Sequence, residues 1–593
     1  MTGDQEAMPG VAAWLTQFAA ALDRHDIGAV AGLFHEECFW RDLLSFTWTI
    51  ATFEGRPSIA AMLQSRLRTT GPARWSVKEC APSSQETEEA WISFETTVGR
   101  GQGYVRLRNG KCWTLLTALH QLKGHEERSG RRRPLYGTPA THGIDTVSWL
   151  ERREKEIREL GHTRQPYVLI VGGSQGGLAL GARLKMLGVP TLIVDRGSRC
   201  GDQWRSRYSS LSLHDPVWYD HLPYLPFPDT WPVFTPKDKI GDWLEMYARV
   251  MELDVWNGAE CLAAAYDESK SCWTVEIDRA GQRVTLAPDH LVLATGLAGF
   301  PNEPQFANAA AFEGVQYHSS KHPGGNGFAG KKVVVIGSNN SAHDICADLW
   351  QHGADVTMVQ RSSTHVSRSE TLMEVSMAPL YSQQAVDAGM STDKADLLFA
   401  SIPLRLLAEF QKRVVAEIAR RDAEFYARLE KVGFMHDFGE DGSGLYLKYL
   451  RRASGYYVDV GASDLIASGK IKLRSHVEVD RLEPKGVVLS DGAHLPADAI
   501  IFATGFGPMS QWVRALISET VAERIGRCWG YGSDTTHDPG PWVGELRNMW
   551  KPTAQPGLWF HGGNLQQSRF YSLYLALQLK ARFEKLPIAA YAP

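Results

Sequence analysis

Residues 167–177 and 332–342 read YVLIVGGSQGG and KVVVIGSNNSA: twice, an apolar strand runs into a glycine and then into a helical pattern. Each helix leads to another apolar strand, TLIVDR and DVTMVQR. A strand, tight turn, helix and strand in this order close as a right-handed parallel crossover. Parallel strands need helices on both faces, so two such units commit much of the 593-residue chain to α/β architecture with two Rossmann-like sheets.

The glycines test what these turns can hold. In the G-x-G-x-x-G dinucleotide fingerprint the first glycine makes the tight turn and the second lets backbone approach a pyrophosphate. The third lets helix pack on strand, and the helix N-terminus faces the phosphates. The first unit keeps Gly172 and Gly177 but has Ser174 in the middle. The second keeps Gly337, with Asn339 and Ala342 at the other two places. Serine donates to phosphate, asparagine tolerates positive φ, and alanine is the smallest enlargement of glycine. The following strand sharpens the reading. Asp195 ends it in the first unit, about 20 residues on, where an acid meets a ribose hydroxyl. At the same offset the second unit has Gln360, followed by Arg361 and Ser362. An aspartate repels a 2′-phosphate and a guanidinium grips it. The first site therefore suits an adenosine with free ribose hydroxyls, and the second suits NADPH. Two dinucleotides in one chain point to a flavin that does chemistry and a nicotinamide that delivers hydride.

The remaining sequence sets the surroundings. Net charge is −4, which gives no general preference for nucleic acid or anionic membrane. The one basic cluster, Arg128–Arg133, reads as a solvated linker. The start MTGDQEAMPG has no basic segment followed by an apolar core, and no apolar run reaches the ~18 residues that span a bilayer. The eight cysteines are scattered without a C-x-x-C pair, as in a reducing cytoplasm. Before the first fingerprint, residues 10–35 have helical apolar spacing, Ser58–Leu67 a second helix, and WSVKEC, AWISFETTV, GYVRLR and CWTLLTALHQL strand character. Helices first and a sheet after predict a small α+β domain. With FWRDLLSFTW as its most suggestive stretch, it resembles the SnoaL/NTF2-like cone fold, whose cone His35, Arg41 and Asp42 would line. The expected divisions are that domain at 1–123 and a linker with the helix SWLERREKEIREL at 124–164. The first nucleotide domain follows at 165–330, the second with a helical insertion at 331–495, and a return segment of the first at 496–593. LRLLAEFQKRVVAEIARRDAEFYARL is the insertion's strongest helix.

Three further segments carry a family resemblance. Phe312-Glu-Gly314-Val-Gln-Tyr-His318 has the pattern F-x-G-x-x-x-H, Phe502-Ala-Thr-Gly-Phe506 the pattern F-A-T-G-[YF], and Gly201-Asp-Gln203-Trp204-Arg205 resembles G-x-x-W. Together they resemble the class B flavin-containing monooxygenases over roughly residues 165–593. The stretches LSLHDP and YYVDVGASDLIASGKIKL resemble the plant YUCCA subgroup, decarboxylating indole-3-pyruvate monooxygenases. The resemblance implies FAD at Gly172, Ser174, Gly177, Asp195 and Arg196, with Gln203 and Trp204 near the isoalloxazine. It implies NADPH at Gly337, Ser338, Asn339, Asn340, Arg361 and Ser362. NADPH would reduce FAD, dioxygen would form a C4a-(hydro)peroxyflavin, and one oxygen atom would enter an arylpyruvate, amine or sulfide. His214 stands where many members have an asparagine beside the flavin, and is the candidate catalytic residue.

Some residues allow a plainer reading. His322-Pro323 departs from the family pattern and leaves Baeyer–Villiger chemistry open beside heteroatom oxygenation. An uncoupled NADPH oxidase is a third possibility, whereas a disulfide oxidoreductase lacks its dithiol and a nucleotide-sensing scaffold would turn over no NADPH. His318 is expected to brace the interdomain linker. The aromatic and proline-rich run 214–234 either walls the substrate or only packs. Asn564, Gln566 and Gln567 precede a last helix whose N-terminal amides would face the flavin. No metal is expected; the expected partners are a small-molecule substrate and dioxygen, and the small domain either covers the substrate entrance or joins a second copy in a homodimer.

Overall fold

The computed structural model describes residues 9–81, 87–135, 147–530 and 540–591. Val168–Val171 is buried at every position and lies third in a five-stranded parallel sheet. Its neighbours are His290–Leu293 and Thr191–Asp195, flanked by Leu558–Phe560 and Val255–Asn257. The helices Gln175–Met186 and Leu565–Phe583 close one face, where Ile170, Leu178, Leu575 and Leu579 share a core. Burial on both faces explains the unbroken run of Val, Ile and Leu.

The second sheet repeats the plan. Lys332–Ile336 lies between Ala499–Phe502 and Asp355–Gln360, with Val315–His318 and Lys472–Ser475 at the edges, all parallel. Each parallel sheet has a three-stranded antiparallel companion, Ala259–Asp267 to Leu286 in the first and Val479–Glu483 to Pro496 in the second. The pairing moves both expected edges of the second nucleotide unit. Val315–His318, expected before the boundary at 331, and Ala499–Phe502, expected after 495, both belong to its sheet. The reason is visible in the motifs. His318 is buried, its Nε2 meets the Gly505 carbonyl at 2.9 Å, and its ring packs edge-on against Phe506 at 5.0 Å. The F-x-G-x-x-x-H and F-A-T-G-F segments thus form one contact. Gly314 is required there because a Cβ would stand 2.3 Å from the Asp498 carbonyl oxygen.

The small domain packs the helices Pro9–Asp23 and Gly55–Thr70 on a six-stranded sheet. Helical spacing over 10–35 proves to be two helices, and residues 34–43 already form a strand paired in parallel with Lys111–Leu122. The expected start MTGDQEAM lies outside the described residues. The linker helix Trp149–Glu159 begins with a Ser148/Glu151 capping box and docks through Arg153, whose guanidinium meets Asp254 at 2.6 Å. The insertion's long helix divides at Asp422 (φ −98°, ψ 20°) into Leu404–Arg421 and Ala423–Lys431, and the Asp422 carboxylate accepts the Thr371 hydroxyl at 2.9 Å. Among the described residues no helix is long and apolar enough to cross a membrane.

Candidate active site

The two fingerprint turns are near copies. Gly172 has φ +113° and Gly337 φ +127°, and their amides reach the next strand at Val194 and Val359 carbonyls, 2.9 and 3.0 Å away. A Cβ on Gly172 would meet the Ala294 carbonyl oxygen at 2.4 Å, and one on Gly337 the Ala503 carbonyl oxygen at 2.3 Å. The alanines that open the two A-T-G segments therefore require the first glycine in each unit. The middle position differs. Ser174 (φ −91°, ψ −163°) and Asn339 (φ −95°, ψ −168°) are both extended, a backbone open to any residue. This is why the middle glycine is dispensable here. At the last position a Cβ on Gly177 would lie 1.9 Å from the Gly172 carbonyl oxygen. The second unit carries a buried Ala342 at that place, on a helix that begins at Asn340.

The residues fit a dinucleotide at each turn. Neither Ser174 nor Asn339 caps its helix with its side chain, which leaves the first helical amides open to an anion. Asp195 accepts the amides of Gly173 and Gly197 at 2.6 and 2.7 Å, which fixes its carboxylate at the strand end. Arg196, beside it, is exposed. Around the first turn Thr295 Oγ1 is buried without a hydrogen-bond partner, and the buried His561 ring faces the Gly176 backbone. Burial pushes the His561 ring down to about 3, so it is neutral, with one N–H to donate and one nitrogen to accept. In the second unit, Arg361 and Ser362 are exposed at the strand end, and the Arg361 guanidinium lies 4.0 Å from Glu478. Gln360, at the place of the lost acid, is buried and trades two hydrogen bonds with the Met435 backbone. Ser338 and Asn340 hold the insertion instead of standing free: Ser338 Oγ meets Thr364 Oγ1 at 2.8 Å, and the Asn340 side chain accepts the Val458 amide at 3.1 Å.

Beside the second turn lies a cavity of about 340 Å³. Trp204, whose indole donates to Gln175 at 3.1 Å, borders it from the first unit, and Asn340, Ser341 and Asp344 from the second. The insertion supplies Phe399, Tyr446, Tyr449 and Tyr456, and the last helix its N-cap Asn564. Asn564 donates to the Tyr219 hydroxyl at 3.2 Å, and Tyr449 to Gln567 at 2.5 Å. Behind the wall, Arg569 and Asp396 form a buried ion pair at 2.9 Å, to which Gln566 and Tyr381 add hydrogen bonds.

The cavity brings together several expected residues and leaves others aside. His214 is in it, with Nε2 3.7 Å from Asp344 and its ring edge-on to Tyr457. Gln203, expected with Trp204 beside the flavin, is exposed and does not line it, because the four-residue helix Asp202–Arg205 turns only Trp204 inward. The run 214–234 divides: His214, Asp215 and Tyr219 line the cavity, whereas Phe227 and Trp231 stack on each other and meet Trp243 edge-on outside it. His35, Arg41 and Asp42 do not share a cone. His35 stays near the surface, Asp42 folds back onto the amides of Phe46 and Thr47, and Arg41 is buried against another domain. The sequence reading missed Arg207, Tyr208 and Asp344. Tyr208 donates to Asp344 at 2.6 Å. Asp344 follows Asn340 by one helical turn, a spacing that puts both on one face. Burial raises the Asp344 carboxyl and His214 opposes the rise; Asp215 is raised by burial likewise, again opposed by His214.

Two fingerprint turns of one geometry, the second bordering the cavity and the first joined to it through Gln175 and Trp204, are the layout of a flavoprotein reduced by a nicotinamide. Comparison with known proteins gives the family. Residues 169–402 match the profile of the pyridine nucleotide-disulphide oxidoreductases. The indole-3-pyruvate monooxygenase YUCCA1 of Oryza sativa subsp. japonica is 33% identical over 59% of this chain and 79% of its own. A probable indole-3-pyruvate monooxygenase of Arabidopsis thaliana, YUCCA3, is 28% identical over 63% of this chain and 81% of its own. Among solved structures, a flavin-containing monooxygenase from Stenotrophomonas maltophilia is 18% identical and covers 70% of this chain and 99% of its own, with a TM-score of 0.46. The chain belongs to the class B flavin monooxygenase family and is an NADPH-dependent FAD monooxygenase. All eight cysteines are free and none lines the cavity, so the matched profile's disulphide chemistry has no dithiol here.

Proposed function

We propose that the chain oxygenates an aromatic 2-oxo acid of the arylpyruvate class with loss of carbon dioxide. The observation that carries this reading is the cavity wall: aromatic rings surround an apolar space, and the Arg207 guanidinium lines it, over the Tyr208 ring, with its charge acting on Asp344 but no carboxylate within 4 Å among the described residues. A planar ring meets Tyr219, Tyr446 and Phe399, and the carboxylate meets Arg207. An ammonium substrate is less well served, because burial shifts the carboxyls of Asp215 and Asp344 towards their neutral forms. The YUCCA relatives are named for the same class of substrate.

Bound FAD supplies the oxygen activation and NADPH the reducing equivalents. The residues assigned to FAD are Gly172, Ser174, Gly177, Asp195 and Arg196, with Trp204 between turn and cavity. Gly337, Ser338, Asn339, Asn340, Arg361 and Ser362 are assigned to NADPH. Enclosure by Tyr446, Tyr449 and Leu380 keeps water from the reacting atoms. His214 holds or moves a proton at the wall, with Asp344 orienting its Nε2. The small domain is of the SnoaL/NTF2-like type, supported by helices packed on a single six-stranded sheet, and eight free cysteines favour a reducing cytoplasm.

The test is NADPH oxidation and arylacetate formation with indole-3-pyruvate and phenylpyruvate. Arg207→Ala is expected to raise KM by roughly 10- to 100-fold, the loss of a charge-assisted pair worth about 1.5–3 kcal/mol. Better turnover of amines or sulfides, with KM unmoved in the variant, would refute the assignment.

A further inference from the structure

The small amino-terminal domain grips the wall of the active-site cavity at the end of the helix Thr392–Ala400, with ion pairs from Glu79 to Lys394 at 2.6 Å and from Glu54 to Arg405 at 2.9 Å on either side. Arg41, from strand Phe34–Leu43, donates to the Ala400 carbonyl at 2.7 Å. Arg106, from strand Gly99–Arg108, reaches the next residue: it donates to the Ser401 hydroxyl at 2.9 Å and to its carbonyl at 3.3 Å. Two guanidiniums thus sit on the final carbonyls of one helix, at the negative end of its dipole. Apolar contact continues the joint, where Phe39 and Trp113 of the small domain pack on Leu406.

That helix and its successor carry the cavity. Phe399 lies one residue before the clamped carbonyl and lines the cavity, as do Gln411, Val414, Val415 and Ile418 of Leu404–Arg421. Asp396, one turn before Ala400, is the partner of Arg569 behind the wall. Arg41 has a second anchor on the flavin side. It forms a buried ion pair with Glu545 at 2.7 Å and donates to the Tyr571 hydroxyl at 3.2 Å. Tyr571 stacks on Trp550, which meets Trp529, and Trp529 packs against Tyr449 of the cavity wall.

We propose that the small domain is a brace for the substrate wall, with Arg41 and Arg106 as positioning residues that fix Phe399 and the helix Leu404–Arg421. The domain then acts on substrate binding and coupling through the clamp at Ala400–Ser401, with no chemistry of its own. Removing either arginine lets the helix end and the wall loosen while both nucleotide turns stay in place.

Arg106 is the residue to change, because Arg41 is fully buried and its loss strands Glu545. Arg106→Ala and Ser401→Ala are compared with wild type as FAD-loaded proteins in three measurements: hydrogen exchange of 392–421, KM for indole-3-pyruvate, and the anaerobic rate of flavin reduction by NADPH. Exchange over 392–421 should quicken and KM should rise about 10-fold, equivalent to roughly 1.4 kcal/mol. Exchange over 168–195 and the reduction rate should hold within about twofold, and Arg106→Lys should recover part of the KM effect. Unchanged exchange and KM in both alanine variants would overturn the proposal. So would a reduction rate that falls in step with the KM effect, which marks general damage to the fold. The KM arm rests on the proposed substrate class. If wild type does not turn over indole-3-pyruvate, that reading fails alone, and the exchange result still decides for or against the brace.

Discussion

The two fingerprints make opposite demands at their sixth position, and a single methyl group separates them. In the first unit a Cβ at Gly177 would lie 1.9 Å from the Gly172 carbonyl oxygen. That oxygen is backbone, in a turn already fixed by the Ala294 carbonyl, so rotamer change cannot relieve the contact. Acceptable contact begins near 3.0 Å, so the helix Gln175–Met186 must retreat by about 1 Å, carrying its open amides away from the pyrophosphate. Overpacking of this kind costs about 1–3 kcal/mol. If the cost falls on the bound state, FAD affinity should drop by roughly 5- to 150-fold. The assay is titration of apoprotein with FAD, followed by flavin fluorescence, for wild type and Gly177→Ala. Ala342→Gly is the matched control: it removes a methyl the second unit already accommodates, and FAD affinity should stay within about twofold of wild type. Equal FAD binding by Gly177→Ala and wild type would refute the idea that this turn cradles the flavin nucleotide. So would a larger loss in Ala342→Gly.

Arg361→Ala should raise KM for NADPH about 10-fold and leave KM for NADH unchanged, because an exposed guanidinium is worth only about 1–2 kcal/mol to a 2′-phosphate; steady-state kinetics with both cofactors checks this. His214→Ala should keep NADPH oxidation while more of it ends as peroxide, read as peroxide released per NADPH consumed with substrate present. In the small domain, burial raises the Asp42 carboxyl from 3.8 to about 6, against the hydrogen bonds of Thr117 and Thr47 that lower it. A raised folded-state value means stability is greatest below pH 3.8 and falls as pH rises through 6, by roughly 3 kcal/mol in all and about 1 kcal/mol between pH 5 and pH 7. Denaturant unfolding of wild type and Asp42→Asn at those two pH values should show wild type gaining on the variant at pH 5; a constant gap would contradict the assignment.

The βαβ units were legible because strand, glycine and offset acid are all local. Gly172, Asp195 and Gly337 could be placed from spacing alone, and the structure adds why Ser174 and Asn339 suffice: neither position needs positive φ. Sheet membership was less legible. Ala499–Phe502 reads like His290–Leu293 in sequence, and only pairing across the chain assigns them to different sheets. The cavity was least legible. Its aromatic wall comes from Phe399 and Tyr446 to Tyr456 in an insertion with ordinary helical spacing, and long-range contacts alone bring it over the turns. Arg41 shows the same limit. A charged residue in FWRDLL suggests the polar lining of a cone, but its partners Glu545 and Tyr571 lie at the far end of the chain.

The central claim is that the second turn holds the nicotinamide that reduces a flavin held by the first. Anaerobic mixing of the FAD-loaded protein with NADPH, followed at the flavin absorbance, tests it most directly. The account predicts full bleaching of the flavin by one equivalent of NADPH, much slower with NADH or in Arg361→Ala. A flavin that stays oxidised under NADPH would contradict it.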